Sequence, residues 1–280
     1  MRRLRFVKMS GAGNDFVLLE RGDVKKARLS PAALARKLCA RRDSVGADGL
    51  LIVRPPARGK PPAVDYYNPD GSPAFCGNGS RCAAWWMRRR GWGGAEFPFR
   101  TIAGLLKARV PSAGHGRTQA RAQILMPAVR GNPRRLKARA GGRTWSADLI
   151  DTGVPHAVVE VRDVAKADVA GIGSALRKHP VFGARGTNVD FLELRRNGSG
   201  PILRMRTYER GVEGETLACG TGAVACAVHA HVSRGLLSPL RIRARSGAVL
   251  TARLRGEGGR VREVWLEGPV RLTFEGEIAL

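Results

Sequence analysis

Cys76 and Cys219 each open the same short pattern. The first reads Cys-Gly-Asn-Gly within FCGNGSRCAAWWMRRRG, residues 75–91, and the second Cys-Gly-Thr-Gly within LACGTGAVACAVHAHVSRG, residues 217–235. Each is followed by a helix-like run that ends in basic residues and glycine. A helix N-terminus carries unpaired N–H groups and a partial positive charge. A cysteine placed there is biased toward its thiolate, and the same N–H groups can hold a carboxylate. Gly77 and Asn78 at one start, and Gly220 and Thr221 at the other, would form the nests for such a ligand. Placed face to face, the two starts would bind one carboxylate and set a thiol on each side of its α-carbon. One thiolate takes a proton from one face and the opposite thiol returns one, which inverts the carbon. Each face needs its own acid/base, which is a reason for the motif to occur twice.

The other cysteines, Cys39, Cys82 and Cys226, lie inside helical runs and read as small buried hydrophobes. Zinc sets drawn from Cys219, Cys226, His229 and His231, or from Cys76 and Cys82, have wider intervals than the usual ligand pairs, so no metal is expected. The chain has no Gly-x4-Gly-Lys-Ser/Thr loop, no Gly-x-Gly-x-x-Gly fingerprint and no Gly-x-Ser-x-Gly elbow.

The elements around these cysteines mix strands with a few helices. LRFVKM and FVLLE read as strands flanking the glycine-rich SGAGND loop, and SPAALARKLCARR as a helix capped by Ser30 with Pro31 in its first turn. RPPARGKPP reads as a surface loop. In the second half, HAVVEV and VDFLEL read as strands with a helix near residues 167–178 between them. Four short strands, LRIRAR, AVLTARL, VREVWLE and VRLTFEG, are expected to close the chain. The run after Cys219 is apolar on nearly every face, which marks a buried helix. Its simplest shelter is a curved sheet. The resulting expectation is an α/β chain of two similar halves, each a curved mixed sheet around a buried helix. The halves would span residues 1–127 and 128–268, with the strand at 269–280 returning to the first, and the Gly/Pro/Arg-rich stretch 127–142 marks the boundary.

The 280 residues suffice for two domain-sized cores. The net charge is +26, but the basic residues are spread along the chain without a nucleic-acid motif, and aromatics make up only 6%. That is thin for base stacking, so a nucleic-acid partner is not expected; the charge favours anionic ligands through steering. Five cysteines, an odd number, argue against a disulfide framework and for the cytoplasm. Neither a signal peptide nor a membrane span is expected.

Five segments in fixed order, KMSGAGNDF, NPDGSPAFCGNGSRC, DTGVPHAVV, GTNVDF and YERGVEGETLACGTGA, resemble the diaminopimelate epimerase family. The resemblance implies two pseudo-symmetric α/β domains, each with a central helix, in a homodimer. It implies an isomerase that uses neither metal nor pyridoxal phosphate and interconverts LL- and meso-2,6-diaminopimelate for lysine and peptidoglycan precursors. By motif, Cys76 and Cys219 would be the acid/base pair, with His156 the partner of Cys76 and Glu209 that of Cys219. Arg210 would pair with the distal carboxylate. Asn14, Asn68 and Asn188 would orient the distal amino acid, and Gly77, Asn78, Gly220 and Thr221 would hold the reacting carboxylate. Val154 stands where many members carry an asparagine.

Overall fold

The computed structural model describes residues 3–111, 116–197, 200–257 and 260–280. The chain divides into two compact units, Met1–Leu125 with Gly268–Leu280, and Met126–Glu267.

In the first unit the strands pair into a closed ring of eight. β1 (Arg3–Gly11) and β2 (Asn14–Glu20) form a hairpin, and β2 runs parallel to β3 (Gly49–Arg54). The ring continues through β4 (Ala63–Tyr67), β6 (Glu96–Thr101), β7 (Gly104–Arg109), β8 (Gln119–Leu125) and the second half of β17 (Arg260–Ala279), which returns to β1. The short β5 (Pro73–Ala74) pairs with β4. Inside lies α3 (Gly77–Arg89), packed against β1, β2, β3, β4 and β8. Every residue from Gly77 to Met87 is buried, as expected of a helix that a barrel surrounds. Outside the ring, α1 (Arg21–Ala27) and α2 (Pro31–Cys39) cover the opposite face of the sheet and enclose a second apolar layer with Leu4, Val17, Leu34, Leu38 and Leu50. Ser30 caps α2, its hydroxyl accepting the Ala33 N–H at 3.2 Å.

The second unit follows the same plan. β9 (Arg130–Ala140), β10 (Arg143–Asp151), β11 (Pro155–Glu160), β12 (Asn188–Asn197), β13 (Gly200–Glu209), β15 (Leu240–Arg243), β16 (Val249–Glu257) and the first half of β17 pair in that order, with β14 (Gly214–Thr216) on β13. The central helix is α5 (Gly220–Arg234), which packs against β9, β10, β11, β12, β13, β15 and β16. The short α4 (Gly171–Arg177) packs on the far side, where Trp145, Val159, Leu176 and Phe191 form the outer layer. Gly235 ends α5 in the left-handed conformation, its N–H meeting the Ala230 and His231 carbonyls.

Within the expected boundary stretch 127–142, residues 130–140 form β9, a partner of β10. One expectation needs correction. The last two expected strands are one, β17. Glu267 is the last residue paired with β16 and Val270 the first paired with β1. The proline sits at the handover, where the ladder asks for no N–H.

Candidate active site

Cys76 is the N-cap of α3. Its backbone is extended, and its Sγ accepts the Gly79 N–H at 3.4 Å. Cys219 repeats this at α5, with extended backbone and Sγ 3.4 Å from the Gly222 N–H. A sulfur therefore stands where Ser or Asp usually caps, within the positive field of the helix start. Cys82 and Cys226 sit a turn or more along their helices, fully buried.

The surroundings of Cys76 are built by the β1–β2 turn. Gly11 pairs with Asn14, and the two residues between, Ala12 and Gly13, have φ of 57° and 105°. That is the two-residue hairpin turn suited to strand twist. It brings the chain against α3: a Cβ on Gly11 would lie 2.8 Å from Cys82 Sγ and 2.9 Å from the Asn78 carbonyl oxygen. The contact places Asn14 so that its Oδ1 accepts from Asn78 Nδ2 at 2.7 Å, while its Nδ2 donates to Asp48 Oδ2 at 3.0 Å. Asn78 Oδ1 accepts from Arg81 at 2.5 Å. Arg81 is fully buried, and burial pulls its guanidinium down to about 10. Asn68 lies in the NPDGS turn, where its Nδ2 donates to the Ser72 hydroxyl at 3.0 Å.

Cys219 is 5% exposed. Burial pushes its thiol well above the ordinary value, and the nearby Glu209 and Asp190 carboxylates push it further; contacts from Thr221 and Gly222 only partly offset them. The Thr221 hydroxyl is 3.4 Å from the sulfur. In the same unit His156 and Asn188 face each other across the parallel β11–β12 pair. His156 is fully buried, its Nδ1 2.7 Å from Asp190 Oδ2, and Asp190 Oδ1 accepts the Thr207 hydroxyl at 2.6 Å. Asn188 Oδ1 accepts the Arg210 N–H at 2.8 Å, and its Nδ2 donates to the Pro155 carbonyl at 2.9 Å. The half-buried Arg210 side chain has no carboxylate within ion-pair reach among the described residues. Burial and the neighbouring Arg177 and Arg185 lower its pKa, partly offset by the Glu213 carboxylate. The Val154 carbonyl accepts the Thr152 N–H at 3.1 Å.

The structure thus gathers Cys76, Gly77, Asn78 and Asn14 in the first unit. In the second it gathers Cys219, Gly220, Thr221 and Glu209, with His156, Asn188 and Arg210 tied to one another. Sequence reading overlooked Asp190, Thr207 and Arg81. The first had a legible signal: in Asn-Val-Asp, strand alternation sets residues 188 and 190 on one face. The histidines of α5 are otherwise engaged. His229 lies 2.7 Å from Asp148 and 2.5 Å from Glu160, and His231 Nδ1 is 2.8 Å from the Leu236 carbonyl oxygen. No helix among the described residues is long and apolar enough to cross a membrane.

The family model described as "Diaminopimelate epimerase" matches residues 6–123 and 149–272. The chain is 39% identical to the diaminopimelate epimerase of Aquifex aeolicus, over 99% of this chain and 98% of that protein. It is 36% identical to that of Moorella thermoacetica, over 99% and 100%. Among solved structures it is similar in fold to a phenazine biosynthesis protein of the PhzF family from Bacillus anthracis, with a TM-score of 0.72 at 12% identity over 100% of both chains. A hydroxyproline epimerase from Agrobacterium vitis gives a TM-score of 0.70 at 18% identity, over 100% of this chain and 93% of that one. These neighbours are similar in fold alone, while the family match over most of the chain and the nearly full-length identity point one way: the chain belongs to the diaminopimelate epimerase family.

Proposed function

We propose that the chain interconverts LL- and meso-2,6-diaminopimelate by proton transfer at one α-carbon, with Cys76 and Cys219 as the two bases and no metal or organic cofactor. The observation that carries the reading is the pair of capping thiols, each held by an N–H of its own buried helix. The thiolate removes the α-proton, so a C–H bond breaks and an S–H bond forms. The electron pair left behind is delocalised into the adjacent carboxylate, which the N–H groups around Gly77, Asn78, Gly220 and Thr221 stabilise. The opposite thiol then gives its proton to the other face. Burial and the carboxylates of Glu209 and Asp190 favour the protonated form of Cys219, which suits it to be the donor in the first turnover. Glu209 serves Cys219, and His156 serves Cys76. Arg210 takes the distal carboxylate in bidentate fashion, Asn188 holds its backbone, and Asn14 and Asn68 shape the distal end. The enzyme acts as a cytoplasmic homodimer supplying lysine and peptidoglycan precursors.

The test is deuterium wash-in at the α-carbon. Diaminopimelate should exchange and proline should not. Cys76→Ala and Cys219→Ala should each lose the ~10²–10⁴-fold that a general acid/base provides, while Cys82→Ala and Cys226→Ala keep turning over. Near-normal epimerisation by either of the first two variants would falsify the two-base assignment.

A further inference from the structure

Arg81 is a buried cation without a carboxylate. It has no exposed surface, and no acidic residue lies within ion-pair reach of it among the described residues. Its Nε and Nη1 have no hydrogen-bond partner in the protein, while Nη2 donates to Asn78 Oδ1. Burial lowers the guanidinium to about 10, which still leaves it charged at neutral pH. Arg121 of β8, the charged group that acts on it from a neighbouring strand, is a second cation. A charge buried in this way is costly unless something nearby answers it.

The groups that can answer it are thiols. Ionised Cys76 and Cys82 would both favour the guanidinium. Burial holds Cys82 up at about 12, so it stays a thiol near neutral pH. Cys76 is partly exposed and caps α3 with its sulfur. Helical side chains lean toward the N-terminus, and the bond to Asn78 shows the guanidinium reaching back to the turn that Cys76 caps. The second unit differs at this point. The two caps are alike, each sulfur 3.4 Å from the N–H three residues on. Five residues after Cys76 stands Arg81, whereas five after Cys219 stands Val224, and the charges acting on Cys219 are the carboxylates of Glu209 and Asp190.

We propose that Arg81 makes the two similar caps unequal, its charge holding Cys76 as the resting thiolate while Cys219 remains the thiol. The catalytic meaning of this rests on the two-cysteine reading. Arg81 acts through the field at Cys76 and is a positioning residue.

Alkylation by iodoacetamide across pH, with peptide mapping of Cys76, reads the thiolate without turnover. In the wild-type protein the midpoint should lie below the ~8.5 of an ordinary thiol; a midpoint at or above that value overturns the proposal. Arg81→Gln removes the charge and keeps a donor for Asn78. Its Cys76 midpoint should rise by about 1 pH unit or more, and an unmoved midpoint refutes the role of the charge. Its kcat/KM near neutral pH should fall ~10-fold per unit of that rise and recover as the pH passes the new midpoint, which damage to packing would not do. Arg81→Met, apolar and uncharged, should show the same rise and keeps the test open if Arg81→Gln does not fold. If the midpoint rises as expected while Cys76→Ala still epimerises, the field of Arg81 stands and the two-cysteine reading alone fails.

Discussion

Replacing Gly222 with alanine should destabilise the protein, although alanine is the better helix former. Gly222 lies in the first turn of α5 and carries the N–H that meets Cys219 Sγ. A Cβ there would fall 2.4 Å from Asp190 Oδ1 and 3.1 Å from the end of Met205. Non-bonded heavy atoms are most favourable at about 3.5–4.0 Å, so something must move. Met205 can turn aside. Asp190 cannot retreat without stretching its bonds to His156 at 2.7 Å and Thr207 at 2.6 Å. Overpacking costs ~1–3 kcal/mol, and a strained hydrogen bond to a charged group puts ~1.5–3 kcal/mol at stake. The gain from alanine over glycine in a helix is only ~0.5–1 kcal/mol. A net loss of about 3 kcal/mol corresponds, at ~2–4 °C per kcal/mol for domains of this size, to a melting temperature lower by roughly 6–12 °C. Gly22→Ala in α1 is the control. Nothing lies within 4 Å of its added Cβ, so calorimetry should show a melting temperature equal to or slightly above wild type. If Gly222→Ala melts no lower than Gly22→Ala, the close packing of α5 against Asp190 is wrong.

The network beneath α5 gives a second expectation. Burial alone would raise the Asp148 carboxyl, yet hydrogen bonds from His229, Arg135 and Ser233 outweigh it and hold it well below the usual carboxylate range. Asp148→Asn should cost ~3–5 kcal/mol, as for breaking a buried ion pair, and urea midpoints will measure it. In the alkaline range, burial pushes Cys39 and Cys82 up to about 12 and Cys226 well above its ordinary value. Thiols of the unfolded chain ionise from about pH 8.5. Their contribution is therefore complete below that pH and falls away as pH rises toward 12, so urea stability should drop steeply between pH 9 and 11. The slope should be shallower in Cys82→Ala, and an unchanged slope would contradict the burial of that thiol. Arg210→Lys keeps the charge but loses the planar fork, and should lower kcat/KM for diaminopimelate markedly; unaltered kinetics would remove Arg210 from the distal site.

Much of the site could be read in the chain because it is local. The caps, the glycines beside them and the apolar run of α5 are consecutive residues, and a helix start is defined within four of them. What escaped depends on partners far apart in sequence. Arg81 looks like any arginine until the barrel closes over it, and Asp190 gains meaning only from His156, on the neighbouring strand. α1 was overlooked for a related reason: Arg-Gly-Asp-Val-Lys-Lys-Ala has little apolar periodicity, and only Ala27 is buried. Residues 127–142 read as a boundary without a strand because β9 is mostly exposed and rich in arginine. Pairing with β10, not composition, makes it a strand.

The path of β17 has a consequence for how the molecule is made. The first unit needs residues 268–280 to complete its ring, while the second is a single continuous stretch. During synthesis at ~5–20 residues per second, the half that emerges first therefore waits roughly 8–30 s with an open edge between β1 and β8. The later half has all its strands once Glu267 has emerged, before residues 268–280 that the first half needs. Folding order is thus expected to run against the order of synthesis. The exposed edges of β1 and β8 would be where a nascent chain is most open to wrong pairing and to chaperone capture.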